Sequence, residues 1–485
     1  MNYLFINEWC GRWLAVLTLL CVSGCASLPA PDPAPRLVQA GQADFMLHGD
    51  AAAPRLDWWS RYHDAQLDRL IAQALEGSPS MARAEARVRA ARAAAGEADA
   101  EGGASLSANA SASRQLYSQT SIYPPPVAGN YRNSGLLHLD FAYDFDFWGR
   151  HRKALEGALG REAAARADGA AAALTLSASV ATVYFQWQAA QQRLALTQDI
   201  ATAQQRLLAV TAARAGTGIA SQDDVQPLYA NAEAPRQNLV ALRTRTLLLQ
   251  NQLHALLGPE TPLPVLQAQA LPADEIRLPG GLSLDRLAWR PDVVAARDRV
   301  EAALADVDSA RAAFYPDFSL SAFIGLNSLQ MDTLLHSASR EQAVTPALHL
   351  PLFDAGRLRS MLDSQRAAAA LAVADYDQAV TDAVKEVNDA MLRLQGSQDQ
   401  WPALRHQLAA RERNVVNAMA RQAAGLADQR DVQQARLAWL NVRIEDIDRQ
   451  EQTLMAQIDL SRALGGGYDR DSMAAVQREG AKNHE

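Results

Sequence analysis

Two hydrophobic periods alternate along the chain. Apolar residues recur every seven positions at Val180, Trp187, Leu194, Ala201 and Leu208, and again at Val387, Leu394, Trp401, Leu408 and Val415. In the second run Val380, Val384, Val387, Met391 and Leu394 alternate steps of four and three. Such a stripe is the a/d seam of long packed helices. Elsewhere the period is two. Leu106, Ala108, Ala110 and Ala112 alternate with Ser107, Asn109, Ser111 and Ser113. From Leu137 to Phe147, leucines and aromatics alternate with His138, Asp140, Ala142, Asp144 and Asp146. Phe318, Leu320, Ala322, Ile324 and Leu326 form a third alternating run, opposed by Asp317, Ser319 and Ser321. Val344, Leu348, Leu350 and Leu352 form a fourth, limited by Pro346 and Pro351. Alternation of this kind predicts strands with one wet and one apolar face.

The two periods occur in the same order twice. Gly149-Arg150, Gly218, Asp224-Val225-Gln226 and Leu257-Gly258 return 207 positions later as Gly356-Arg357, Gly425, Asp431-Val432-Gln433 and Leu464-Gly465. Leu67-Asp68-Arg69-Leu70 is echoed by Leu284-Asp285-Arg286-Leu287, so each repeat holds a helix, a strand pair and a helical hairpin. Arg150 to Ala215, free of proline, predicts one helix about 100 Å long. Its returning arm, Ser221 to Leu257, predicts about 55 Å, with a kink at Pro235. The hairpin turns at Gly216-Thr217-Gly218 and, in the second copy, at Gly425. An amphipathic helix is also expected around Leu67–Leu75, and an Ala/Arg-rich helix from about Ser80 to Glu101.

Strands of about 9–11 residues with one apolar face suit a transmembrane barrel. Four cannot close one, since the smallest has about eight, so several chains would pool them. A soluble sheet packed on the helices is the competing reading. Residues 1–24 read as a secretory signal: Arg12, then an apolar run from Trp13 to Val22. Val22-Ser23-Gly24-Cys25 matches a lipobox, which makes Cys25 the lipidation site, and Ala26-Ser27 after it favours the outer membrane. Residues 25–66 form a lipidated, Pro-rich linker, 67–258 the first repeat, 259–283 a Pro-rich connector, 284–465 the second repeat and 466–485 a tail.

Composition narrows the function. Cys10 and Cys21 lie in the signal, so the mature chain keeps only Cys25 and has no disulfide or thiolate cluster. Nine scattered histidines show no metal spacing, and Gly465-Gly466-Gly467 lacks the strand context of a nucleotide loop. No enzyme, metal or cofactor is expected beyond the covalent lipid. A net charge of −8 argues against nucleic-acid binding. The remaining rivals are a structural coiled-coil lipoprotein and a channel.

Several motifs carry a family resemblance. They are Trp58-Trp59 with Leu67-Asp68, Phe145-Asp146-Phe147-Trp148-Gly149-Arg150, Arg290-Pro291-Asp292-Val293 and Phe314-Tyr315-Pro316. Pro351-Leu352-Phe353-Asp354 and Leu464-Gly465-Gly466-Gly467-Tyr468 complete the set. Together they resemble the outer-membrane efflux proteins, TolC-like and OprM-like, in the lipoprotein branch close to MdtP and the fusaric-acid-resistance channels. The resemblance implies a mainly α protein with a transmembrane β-barrel. In it, a homotrimer builds a 12-stranded barrel above a tunnel of long helical hairpins. It implies docking to a periplasmic adaptor and an inner-membrane transporter, with export of drugs or of aromatic and amphipathic compounds. A duct for type I protein secretion is the alternative within the same class.

The resemblance also places candidate sites. Asp224 and Asp431 match acidic positions of a cation-sensitive gate ring, and Asp223 adds a neighbouring carboxylate. A third family acid falls here on Gln434, and the family's latch tyrosine and arginine fall on Gln422 and Ala427. Any latch must therefore be built differently. Gly218, Ile219, Gly425 and Leu426 would form the adaptor-docking tips. Two plainer readings stay open. Ser221-x-x-Asp224 is also a helix capping box, and the glycines also suit a tight turn.

Overall fold

The computed structural model describes residues 36–37, 57–120, 122–272 and 289–468. Cys25, most of the Pro-rich linker and the Leu284–Leu287 echo lie outside them. The elements run in order as α1 (Ala65–Gly77), α2 (Pro79–Glu101), β1 (Ser105–Leu116), β2 (Tyr131–Phe145), α3 (Arg150–Gly216) and α4 (Gln222–Leu257). The second half supplies α5 (Pro291–Ala312), β3 (Asp317–Ser328), β4 (Arg340–His349), α6 (Arg357–Ala423) and α7 (Gln429–Ala463). Helices α3 and α6 are each 67 residues long, about 100 Å at the α-helical rise. The hairpin length repeats because the sequence between the repeated glycines repeats without insertion. Helix α4 runs unbroken through Pro227 and Pro235.

Each half contributes to two compact units. One contains residues 88–164 and 296–376, the strands with their adjoining helix ends. Its sheet is a four-stranded antiparallel meander in the order β1-β2-β3-β4. The register places Leu106, Phe141, Ala322 and Val344 in one row on one face, and Ser107, Asp140, Phe323 and Ala343 in a row on the other. The apolar face stays in the open, with Leu137, Leu139, Ile324 and Val344 exposed. The wet face carries a polar chain across all four strands. Asn109 donates to Asp140 at 2.7 Å, His138 pairs with Glu341 at 2.5 Å, and Asn327 donates to Glu341 at 3.3 Å. The strand ends differ from the periodicity. Strand β2 stops at Phe145, because Asp146 turns from the wet face to accept the Arg152 backbone N–H at the start of α3. Strand β4 stops at His349, short of Leu350 and Leu352, where Asp354 accepts the Gly356 and Leu358 N–H groups.

The motifs around these turns meet. Trp148 stacks on Tyr315 at 4.6 Å, and its indole N–H donates to the Pro316 carbonyl at 2.9 Å. Phe145, Phe147 and Phe318 contact one another just above, at the same end of the sheet. An aromatic girdle at one rim of an apolar band is a membrane-interface feature. No described helix is long and apolar enough to cross a membrane.

The second unit holds the main core. Trp58, Tyr62, Leu67, Leu70 and Ile71 pack on Val180, Tyr184, Phe185 and Trp187 of α3, Leu249 and Leu253 of α4, and Ile447, Leu454 and Ile458 of α7. The Trp58-Trp59 and Leu67–Leu70 motifs are therefore packing motifs. Tyr184 donates to Asp64, the N-cap of α1, at 2.6 Å and accepts from Gln66 and Gln188. Those two amides also bind the backbone at Gln267 and Gln269, which straps the connector to the core. On the seam, Val180, Trp187 and Ala201 are buried, as are Val387 and Leu394. Leu208, Leu408 and Val415, nearer the turns, are only half-buried.

Arg290 explains another motif. Its side chain is 8% exposed and grips Asp292 through two bonds of 2.7 and 3.0 Å. It also reaches Glu386 at 3.0 Å and the Ala463 carbonyl, where α7 ends, at 3.0 Å. Breaking a buried ion pair costs about 3–5 kcal/mol, but both carboxylates are partly solvated, so Arg290→Ala should cost about 1–3 kcal/mol. Thermal unfolding followed by helical circular dichroism should show a lower Tm, with partial recovery in Arg290→Lys, which loses the fork. An unchanged Tm would show that this clamp contributes nothing.

Candidate functional site

The hairpin tips are built by the same backbone bonds in both repeats. The Ile219 N–H reaches the Arg214 carbonyl at 2.9 Å and the Gly218 N–H reaches Ala215 at 3.1 Å. In the second tip Leu426 reaches Arg421 at 2.8 Å and Gly425 reaches Gln422 at 2.9 Å. These paired bonds are a Schellman closure, which needs a left-handed residue one place beyond the helix cap. Gly218 (φ 75°) and Gly425 (φ 72°) supply it. A Cβ at either would meet nothing within 4 Å, so backbone conformation alone requires glycine there.

The residue after that glycine normally packs back onto its own helix. Here it does not, because the facing position is an arginine. Ile219 is 67% exposed and Leu426 78% exposed. Each tip thus presents one large apolar side chain to its surroundings. Beside the second tip, α6 and α7 leave an open groove of about 880 Å³. Leu426, Asp431, Gln434, Arg411 and Arg421 are among its lining residues.

The returning helices start on matched capping boxes. The Asp223 N–H donates to Ser221 Oγ at 3.1 Å, and the Ser221 N–H donates to Asp224 Oδ2 at 3.0 Å. In the second tip Asp428 Oδ1 accepts from Arg430 and Asp431, while the Asp428 N–H donates to Asp431 Oδ2 at 3.0 Å. Asp224 and Asp431 therefore each spend one oxygen on a cap. Both remain exposed, as does Asp223. The capping reading holds, and it leaves each carboxylate in contact with water. No cluster of three or more metal-ligating side chains exists among the described residues.

One cap residue does more. Arg214, at the last turn of α3, donates to Asp428 Oδ2 at 2.8 Å. Arg430 donates to the same oxygen at 2.9 Å. The pair ties the end of the first hairpin's long helix to the start of the second hairpin's short one. Partial burial raises the Asp428 pKa. The Arg430 side chain and the N–H groups of Arg430 and Asp431 outweigh that and hold it below the ordinary carboxylate range. Periodicity singled out neither partner, although Asp428-x-x-Asp431 stands 207 positions after Ser221-x-x-Asp224.

Comparison with known proteins agrees with this architecture. The family model for the outer membrane efflux protein matches residues 70–259 and 283–466. Multidrug resistance outer membrane protein MdtP of Escherichia coli K12 is 32% identical over 460 residues, 92% of this chain and 94% of that protein. Multidrug resistance outer membrane protein MdtQ of Escherichia coli O157:H7 is 33% identical over 468 residues, 93% and 97% of the two chains. Among solved structures, the outer membrane protein VceC of Vibrio cholerae superposes with a TM-score of 0.74 at 32% identity. That match covers 86% of this chain and all of VceC. The paired helical hairpins, the open four-stranded sheet and these matches together place the chain in the outer membrane efflux protein family.

Proposed function

We propose that this chain is the exit channel of a tripartite multidrug pump. Three copies close one 12-stranded barrel in the outer membrane, and their hairpins form the tunnel below it. The observation that carries this reading is the sheet. It has one exposed apolar face and two unpaired edges, and it turns directly into 67-residue helices at Asp146 and Asp354. The multidrug assignment rests on the likeness to MdtP and MdtQ. Cys25 would anchor the mature chain by a covalent lipid. Ile219 and Leu426, with Gly218 and Gly425 beneath them, are the surfaces offered to a periplasmic adaptor. That adaptor would connect the duct to an inner-membrane transporter.

At the tips the exposed carboxylates of Asp224 and Asp431, with Asp223 beside the first, converge from three copies into an acidic ring. Such a ring draws in cations and holds divalent ones. In planar bilayers the double variant Asp224→Asn, Asp431→Asn should raise the concentration of divalent cation needed for half-block by roughly ten-fold or more. Block at the wild-type concentration would remove the ring.

The Arg214–Asp428 pair is the latch that the family's displaced tyrosine and arginine do not supply here. Asp428→Asn should raise the resting conductance several-fold. The exchange Arg214→Asp with Asp428→Arg should lower it again. The pH dependence has a fixed sign. A carboxyl depressed in the folded tip holds its tie fully above the unfolded carboxylate pKa of about 3.9 and releases it only as pH falls through its own lower value. Conductance of the wild type should therefore stay low through mild acid, and a rise between pH 7 and 5 would contradict the latch.

A further inference from the structure

The apolar face of the sheet is uncharged along its length except at one end. Following the register, that face carries Leu106 to Leu116 on β1, Tyr131 to Phe145 on β2, Phe318 to Ser328 on β3 and Arg340 to Leu348 on β4, every second residue. Among all of these only Arg114 and Arg340 are charged. Both lie at the end remote from the long helices. Arg340 opens β4, and Arg114 lies two residues inside the end of β1. Both are exposed. Arg114 is held against the Tyr131 ring at 5.3 Å, so its guanidinium stays on the apolar side.

Depth along the strand explains why arginine is tolerated there. From Leu348 to Arg340 is eight residues, about 27 Å along the strand and about 20 Å along the membrane normal at a 40° tilt. The apolar band of an outer-membrane barrel is about 25 Å tall. Arg340 thus reaches the outer headgroup boundary with its side chain extended, and Arg114, as far along β1 from Leu106 as Arg340 is along β4 from Leu348, reaches a similar depth. An arginine at the midplane would cost about 2–4 kcal/mol, and one at the boundary almost nothing.

The two arginines sit on opposite edges of the sheet. In a closed trimer β4 of one copy lies beside β1 of the next. Within a chain the strands slip progressively: β1 reaches the Leu116 row, whereas β4 stops at the Ala110 row. Continuing that slip across the seam brings the outer ends of β4 and β1 together, and Arg340 within about four residues, roughly 14 Å, of the neighbouring Arg114, a gap that two extended arginine side chains can bridge to one headgroup. We infer that each protomer seam is a binding site for the phosphorylated glycolipid of the outer leaflet, with Arg114 and Arg340 of adjacent copies gripping its phosphates. Two guanidinium forks with no acidic residue on the same face suit a doubly phosphorylated headgroup. The site rests on the trimer proposed above.

The test is native mass spectrometry of the full chain, purified in mild detergent and offered lipid A or its dephosphorylated form. Wild-type trimers should retain lipid A, up to one per seam, and discriminate against the dephosphorylated lipid. The double variant Arg114→Ala, Arg340→Ala should remain trimeric and retain roughly ten-fold less. Arg132→Ala, on the wet face, should retain as much as wild type. Millimolar inorganic phosphate should not displace the lipid, and displacement would assign the site to free phosphate. Trimers of the double variant with undiminished lipid A would overturn the inference alone. A wild-type chain that is not trimeric would overturn it together with the oligomer on which it rests.

Discussion

Backbone hydrogen bonding at the two edges of the sheet is the constraint on which the rest depends. In hydrocarbon an unpaired N–H or C=O costs several kcal/mol, so an open edge is not tolerated there. Strand β1 carries such an edge over 12 residues and β4 over 10. The sheet cannot curl to meet itself with four strands. Its apolar face forbids leaving it in water as it stands. Neighbouring copies resolve both demands at once, and the hairpins, which leave the sheet within a few residues of its end, are then carried into register with one another.

The repeat makes the tips nearly equivalent, and one substitution breaks the equivalence. Arg214 and Arg421 occupy the same place in the two Schellman closures. The residues that begin the returning helices correspond too, but one is Ser221 and the other Asp428. Within a chain, Arg214 finds the carboxylate of Asp428. At a boundary between copies, Arg421 would meet Ser221, which has none. A ring of six hairpins would thus be tied at three seams and untied at three. Opening by separation of whole protomers would leave each chain's own pair of hairpins together.

Much of this was legible in sequence because it rests on local periodicity. The heptads around Val180 and Val387 and the alternation from Leu137 onward gave both element types, and the 207-residue echo gave the hairpin tips to within a residue. Strand ends were missed where a single side chain overrides the pattern. Asp146 alternates correctly but caps a helix, and Leu350 and Leu352 alternate past His349, where pairing ends and the chain turns toward the Asp354 cap. The candidate carboxylates Asp224 and Asp431 rest on the family resemblance, whereas their capping bonds follow from the Ser221-x-x-Asp224 spacing and its echo Asp428-x-x-Asp431. The Arg214–Asp428 tie was hidden because its partners stand 214 residues apart on different hairpins. The buried Arg290 clamp was visible only as a motif, since nothing in Arg-Pro-Asp-Val names Glu386 or the end of α7.

The most direct measurement is a cysteine crosslink between the free edges, as Ala112→Cys on β1 with Val344→Cys on β4. Within one chain these strands are three apart, about 14 Å, beyond the roughly 7 Å that a disulfide spans. Oxidation in cells should therefore link neighbouring chains only, and a denaturing gel should show a ladder that stops at three. Moving the first cysteine along 110–116 should locate the register of strongest linkage. Monomers at every register, or a ladder that runs on past three, would contradict the closed trimer and with it the channel built upon it.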